Sequence, residues 1–106
     1  MGIFSFFSGP DINQGILEQQ MTKDSILIDV REKDEYLSGH IAGSKNIPLS
    51  TLAKSGQMPY KSNTPLFVYC FSGSRSQQAV RILKSLGYTN VKNIGGISGW
   101  KGKVER

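Results

Sequence analysis

"LFVYCFSGSRSQQAVRIL" (residues 66–83) runs from an apolar stretch through the chain's single cysteine and a loop of small residues into a basic, periodic segment. The apolar run "PLFVYC" is short and rich in β-formers, which predicts a buried strand ending at Cys70. From Ser74 to Leu86 the apolar residues Ala79, Val80, Ile82, Leu83 and Leu86 recur at helical spacing, and Gly87 closes the run. A strand, a tight turn and a helix beginning at Ser74 or Arg75 therefore meet at Cys70. The alternative is a structural one, since an unoxidised Cys is commonly a small buried hydrophobe at a strand end.

Outward from this unit, strands and helices alternate. "SILIDV" (25–30) reads as a second buried strand and "NVKNI" (90–94) as a third. "NQGILEQQM" (13–21) reads as a helix with Asn13 as its N-cap. "KDEYLSG" (33–39) is a brief helix with acids in its first turn and Gly39 as its stop. "AGSKNIPLS" (42–50) is extended, "STLAKSG" (50–56) is a small helix closed by Gly56, and "GGISGW" (95–100) is a turn and short helix. Alternation of this kind implies an α/β domain with a mainly parallel sheet covered on both faces. Ligands of such sheets bind beyond the carboxyl ends of the strands, where Cys70 lies.

Composition narrows the function classes. A length of 106 residues suits one domain: we expect a loosely structured N-terminal segment over residues 1–10 and a single domain over 11–106. One Cys excludes an internal disulfide, and with His40 the only histidine a closed four-ligand zinc site is excluded too. A free thiol fits a reducing compartment, most simply the cytoplasm. "MGIFSFFSGP" has no basic n-region and too short an apolar stretch for a signal or a membrane span; its three Phe residues are expected to pack on the domain, with a weak partner contact as the alternative. The net charge of +5 is scattered along the chain, with no basic stripe and no interleaved aromatics, which argues against nucleic acid and for easier approach of small anions.

In "CFSGSRS", the turn aims several N–H groups and the positive end of a helix dipole at one spot. Gly73 relieves the limits on φ, small Ser72 and Ser74 let the backbone curl into a nest, and Arg75 adds a permanent charge. The expectation is a cup of donors around an exposed sulfur whose pKa is depressed, giving a thiolate nucleophile near neutral pH. Such a group could attack the phosphorus of a phosphate ester or accept a sulfur atom as a persulfide.

Three stretches in this order resemble the single-domain rhodanese-like sulfurtransferase family. "LIDVREKDEYLSGHIAGSKNIPL" (27–49) is similar to its Asp-Val-Arg, Glu-Tyr, Gly-His-Ile and Asn-Ile-Pro signature, "VYCFSGSRS" (68–76) to its active-site loop, and "NIGGISGW" (93–100) to its closing Gly-Gly and Trp element. The resemblance runs from about Ile12 to Trp100. It implies a three-layer sandwich whose central, mainly parallel sheet has five strands with helices on both faces. Related phosphatases place five residues between Cys and Arg; four lie between Cys70 and Arg75 here, which favours sulfur.

The resemblance further implies that Cys70 is catalytic, that Phe71, Ser72, Gly73, Ser74, Arg75 and Ser76 form the anion-binding loop, and that no metal or organic cofactor takes part. The partners implied are a small anionic sulfur donor such as thiosulfate or a polysulfide, and a cyanide or thiol acceptor; a protein persulfide is a further donor. Phe71 stands where a basic residue is common in the family, which weakens the case for thiosulfate. Asp29, Arg31 and His40 are read as supporting scaffold, with a salt link among Arg31, Glu32 and Glu35. Trp100 is read as a packing residue. The alternative function is a non-catalytic binding or sulfur-relay module.

Overall fold

The computed structural model describes residues 9–55 and 58–106. Helix α1 (Ile12–Gln20) leads into strand β1 (Ile26–Asp29), helix α2 (Lys33–Ser38), and the two-residue strands β2 (His40–Ile41) and β3 (Lys45–Asn46). Helix α3 (Leu49–Lys54), strand β4 (Leu66–Cys70), helix α4 (Ser74–Ser85), strand β5 (Val91–Gly96), a 3₁₀ turn (Ile97–Gly99) and strand β6 (Val104–Glu105) follow. This is the expected α/β alternation.

Four strands form a parallel sheet in the order β3-β1-β4-β5, and β2 pairs with β6 antiparallel beside it. Ile28 and Asp29 of β1 face Val68 and Tyr69 of β4 on one side and Lys45 and Asn46 of β3 on the other. The chain winds outward from β1 to β3 and then in the opposite direction from β4 to β5. The strand order thus reverses between β1 and β4, and their carboxyl ends, Asp29 and Cys70, open side by side at that switch point.

The strand pattern follows from the two-residue repeat of β structure. Ile28, Leu66, Val68 and Cys70 point to one face, where Leu52 of α3 and Ala79, Val80 and Leu83 of α4 cover them. Leu27, Phe67 and Tyr69 point to the other, against Ile12 and Ile16 of α1, with Ile41 and Ile94. All five β4 residues are buried, so the central strand reads as a continuous apolar run rather than an alternating one. Cys70 therefore projects toward α4, beneath that helix's first turn.

Some expectations shift. The cap of α1 is Asp11, whose carboxylate accepts the Asn13 amide at 2.9 Å, and not Asn13. Asn13 lies within the first turn and instead ties the chain's end down, donating to Gly99 O at 2.9 Å and accepting from the Lys101 amide at 3.0 Å. Residues 42–50 are not one extended piece but hold β3 and the start of α3. The expected segment 1–10, but for Gly9 and Pro10, and the helix stop at Gly56 lie outside the described residues. No helix among the described residues is long and apolar enough to cross a membrane.

Candidate active site

The loop after β4 turns back over Cys70. Gly73 adopts φ +103°, ψ −11°, a left-handed conformation that a side chain disfavours, and from it α4 starts. That turn brings the Gly73 N–H within 2.9 Å of the Cys70 sulfur, and the Ser76 Oγ–H within 3.4 Å. Burial acts most strongly on the thiol and pushes its pKa up. The Ser76 hydroxyl and the amides of Ser76, Gly73 and Ser72 together outweigh burial, so the thiol lies below its ordinary value.

The expectation of an exposed sulfur is corrected. Cys70 is 0% exposed, enclosed by its own loop and by the core under α4. The amides do face the sulfur, so it is cradled, but they close onto it at hydrogen-bond distance and leave no open cup. Gly96 permits this approach. A Cβ on Gly96 would lie 2.1 Å from Phe71 O, and the Ser98 amide donates to the same carbonyl at 3.0 Å. The loop therefore rests directly on the backbone of β5 and the turn that follows it. Beside it, Ser72, Gly96, Ser98, Asp11 and Pro10 line a cleft of about 410 Å³.

Ser76 is fully buried and has a second partner of consequence. Its hydroxyl donates to Asn93 Oδ1 at 2.7 Å. Asn93 in turn donates to Gly73 O at 3.1 Å. Asn93 was not singled out by the sequence reading. It lies 17 positions beyond Ser76 and reaches the loop only because β5 pairs with β4.

Arg75 sits at the loop's end but is already engaged. Its guanidinium grips Glu35 of α2 with two hydrogen bonds, Nη1 to Oε1 at 2.7 Å and Nη2 to Oε2 at 3.0 Å. The Arg75 hydrogen bond holds the Glu35 carboxyl well below its ordinary range, at about 2. Glu35 also accepts the Glu32 amide, so the pair ties the loop to the first turn of α2. Phe71 is 53% exposed next to the buried sulfur, and Ser72 and Ser74 face solvent.

The scaffold residues cluster at the carboxyl end of β1. The buried Asp29 carboxylate accepts from the Arg31 amide at 2.9 Å and from its Nη2 at 2.8 Å, while the same Nη2 donates to Gly39 O at 2.7 Å. The expected link of Arg31 to Glu32 and Glu35 is thus replaced. Arg31 turns inward to the nearest buried carboxylate, two residues back, and Glu35 goes to Arg75. His40 stacks on Tyr36 with ring centroids 3.8 Å apart, and its Nδ1 lies 2.8 Å from Tyr36 O. It makes no hydrogen bond to Cys70 or its loop. Trp100 packs against the apolar cluster under α1.

A family model described as "Rhodanese-like domain" matches residues 13–103. The chain is 41% identical over 80 residues to the uncharacterized protein YqhL of Bacillus subtilis, covering 74% of this chain and 63% of that one. It is 42% identical over 72 residues to the thiosulfate sulfurtransferase PspE of Escherichia coli, covering 66% and 68%. Among solved structures, a rhodanese with anions from E. coli superposes with a TM-score of 0.67 at 34% identity, covering 77% of this chain and 98% of that one. The chain spans less than two thirds of YqhL and as little as 21% of another relative that it matches. The cradled cysteine at the end of a central parallel strand and the match over residues 13–103 place the chain in the rhodanese-like domain family.

Proposed function

We propose that the protein is a sulfurtransferase that carries sulfane sulfur as a persulfide on Cys70. The observation that carries this reading is the convergence of the Gly73 amide, the Ser76 hydroxyl and the first turn of α4 on one sulfur. A Cys with a merely structural role has no use for those donors.

The reaction is a double displacement. The Cys70 thiolate attacks the outer sulfur of a donor. The bond between that sulfur and the donor breaks, and its electron pair leaves with the donor remnant, which is sulfite when thiosulfate is used. Cys70 then bears an –S–S⁻ group held by the loop amides. An acceptor thiolate or cyanide attacks the terminal sulfur, the S–S bond to Cys70 breaks, and the Cys70 thiolate returns. Because the sulfur is enclosed in the resting protein, the loop must lift to admit the extra atom. The solvent-facing side of the turn, at Phe71, Ser72 and Ser74, is where room opens, while Gly73 stays tied to Asn93 and α4 through its carbonyl.

The donor is a persulfide or polysulfide, on a small molecule or a protein, in preference to thiosulfate. Arg75, the only cation of the loop, is neutralised by Glu35, and the exposed residue next to the sulfur is the apolar Phe71. The acceptor enters by the cleft beside Ser72, and a reducing cytoplasmic setting keeps the lone thiol available.

Intact-mass measurement after incubation with thiosulfate, polysulfide and a glutathione persulfide tests the reading. One added sulfur is expected on the wild type, most completely with the persulfides, and none on Cys70→Ser. No adduct with any donor would overturn it. A stable complex with a protein partner but no turnover of small donors would point instead to a relay module.

A further inference from the structure

The Ser76 hydroxyl has one hydrogen and three acceptors within reach: Asn93 Oδ1 at 2.7 Å, Gly73 O at 3.0 Å and Cys70 Sγ at 3.4 Å. Only one can be served well at a time. The side chain of Asn93 holds the balance. Its Oδ1 also accepts the Gly95 amide at 2.9 Å, and its Nδ2 donates to Gly73 O at 3.1 Å and to Gln77 Oε1 at 3.2 Å. An amide N–H can only donate and a carbonyl can only accept, so Gly95 and Gly73 between them fix which end of Asn93 is oxygen. The position is built into the sheet as well. Val68 pairs with Asn93 but Tyr69 with Gly95, so β5 carries one extra residue here. An irregularity of that kind re-aims a side chain, and this one sends Asn93 into the loop.

We propose that Asn93 is a positioning residue for the sulfur chemistry, holding the Ser76 hydroxyl beside Cys70 and taking its hydrogen whenever the sulfur is not charged. This rests on the reading of Cys70 as the nucleophile. While Cys70 is a thiol, the Ser76 hydrogen stays on Asn93 Oδ1 and the Ser76 oxygen can receive the S–H. When the sulfur becomes a thiolate, the Ser76 hydrogen rotates onto it. Asn93 Oδ1 is not stranded by the rotation, because it keeps the Gly95 N–H. Gly73 O already accepts from the Gln77 amide and from Asn93 Nδ2, each at 3.1 Å, so it competes only weakly for the Ser76 hydrogen. No covalent bond is made or broken by Asn93; because the 2.7 Å bond from Ser76 is given up when the sulfur ionises, Asn93 sets, through Ser76, how readily that charge appears.

The test reads the thiolate directly. Cys70 is the only cysteine, so the pH dependence of its alkylation by iodoacetamide, followed by intact mass, gives its apparent pKa without any sulfur transfer. Ser76→Ala should raise the alkylation midpoint by about one pH unit, the value of one hydrogen bond to a charged group, whereas Asn93→Ala, which frees the Ser76 hydrogen for the sulfur, should lower it by about half a unit. In the Ser76→Ala background, Asn93→Ala should add less than about a third of that shift, since the residue through which it acts is gone. Asn93→Asp keeps the shape, loses both donors and offers Ser76 a stronger, charged acceptor, and should raise the midpoint, opposite in sign to Asn93→Ala and by more than it does in the Ser76→Ala background. If Asn93→Ala does not fold, this near-isosteric variant still decides the matter. An unmoved midpoint in Asn93→Asp, or a full additional shift of Asn93→Ala without Ser76, overturns the proposal. A wild type that takes up no sulfur while these midpoints still move would defeat the functional reading alone.

Discussion

Replacing Glu35 by Gln separates the structural from the electrostatic work of the Arg75 pair. Glu35 and Arg75 meet in a two-pronged contact of 2.7 and 3.0 Å with side chains 34% and 32% exposed. The Arg75 hydrogen bond holds the Glu35 carboxyl at about 2 instead of its ordinary 4.5. At 1.36 kcal/mol per pH unit that difference is worth at most about 3 kcal/mol. Solvent screening of a pair this exposed brings it down to about 1 kcal/mol. A carboxylate whose pKa is depressed by folding stabilises the fold fully above its unfolded pKa, and the contribution drains away as pH falls. The wild type should therefore exceed Glu35→Gln by about 1 kcal/mol at pH 6, and the gap should close between pH 4.5 and about 2. Urea unfolding of both proteins across that range reads the gap. The same substitution frees the guanidinium for a substrate anion, so the KM for thiosulfate should fall about fivefold while kcat changes less. Parallel stability curves for the two proteins down to pH 2 would refute the assignment of the pair, and an unchanged or higher KM would refute the claim that Glu35 masks Arg75.

Other perturbations probe the parts separately. Gly96→Ala places a Cβ 2.1 Å from the Phe71 carbonyl, against backbone that can yield only by carrying the loop and its amide donors permanently off the sulfur. Persulfide formation should fall by at least about tenfold while far-ultraviolet circular dichroism stays native, a loss consistent with the sensitivity of catalysis to displacements near 1 Å. Asp29→Ala leaves the Arg31 guanidinium buried without its carboxylate, and the midpoint of denaturant unfolding should report a loss of about 3–5 kcal/mol. Phe71→Lys puts an unpaired cation beside the sulfur, and steady-state assays should show kcat/KM for thiosulfate rising about tenfold relative to that for an uncharged persulfide donor.

The fold was legible where the sequence carries local rhythm. The apolar runs 26–29 and 66–70 and the periodic residues 79–83 have the spacing of strands and a helix, and both ends of α4 are marked by Gly73 and Gly87. The cradle was legible for the same reason. Cys70, Gly73 and Ser76 are close in sequence, and a strand-to-helix turn brings them together whatever lies elsewhere. The cap of α1 falls two residues before the expected Asn13 because Asp11 and Asn13 are both good caps, and Asn13 is drawn instead to Gly99 and Lys101.

What local reading could not supply was the identity of partners across the fold. Arg75 looks like a free cation until α2 is docked, and then Glu35, 40 positions earlier, takes it. Arg31 looks like a surface residue ready for Glu32 or Glu35 until β1 is buried and its own Asp29 becomes the nearer carboxylate. Asn93 opens the stretch 93–100 but shows no partner until an irregularity in β5 turns it into the loop. Each of these pairings arises from contacts made only after the sheet closes, and the Arg75–Glu35 pair is the one that neutralises the loop's cation. The sequence pattern of the loop therefore specifies that a sulfur is cradled there. On the proposed function its selectivity is written in β5 and α2, so two chains with the same "CFSGSRS" would differ in preferred donor through Glu35 and Asn93 alone.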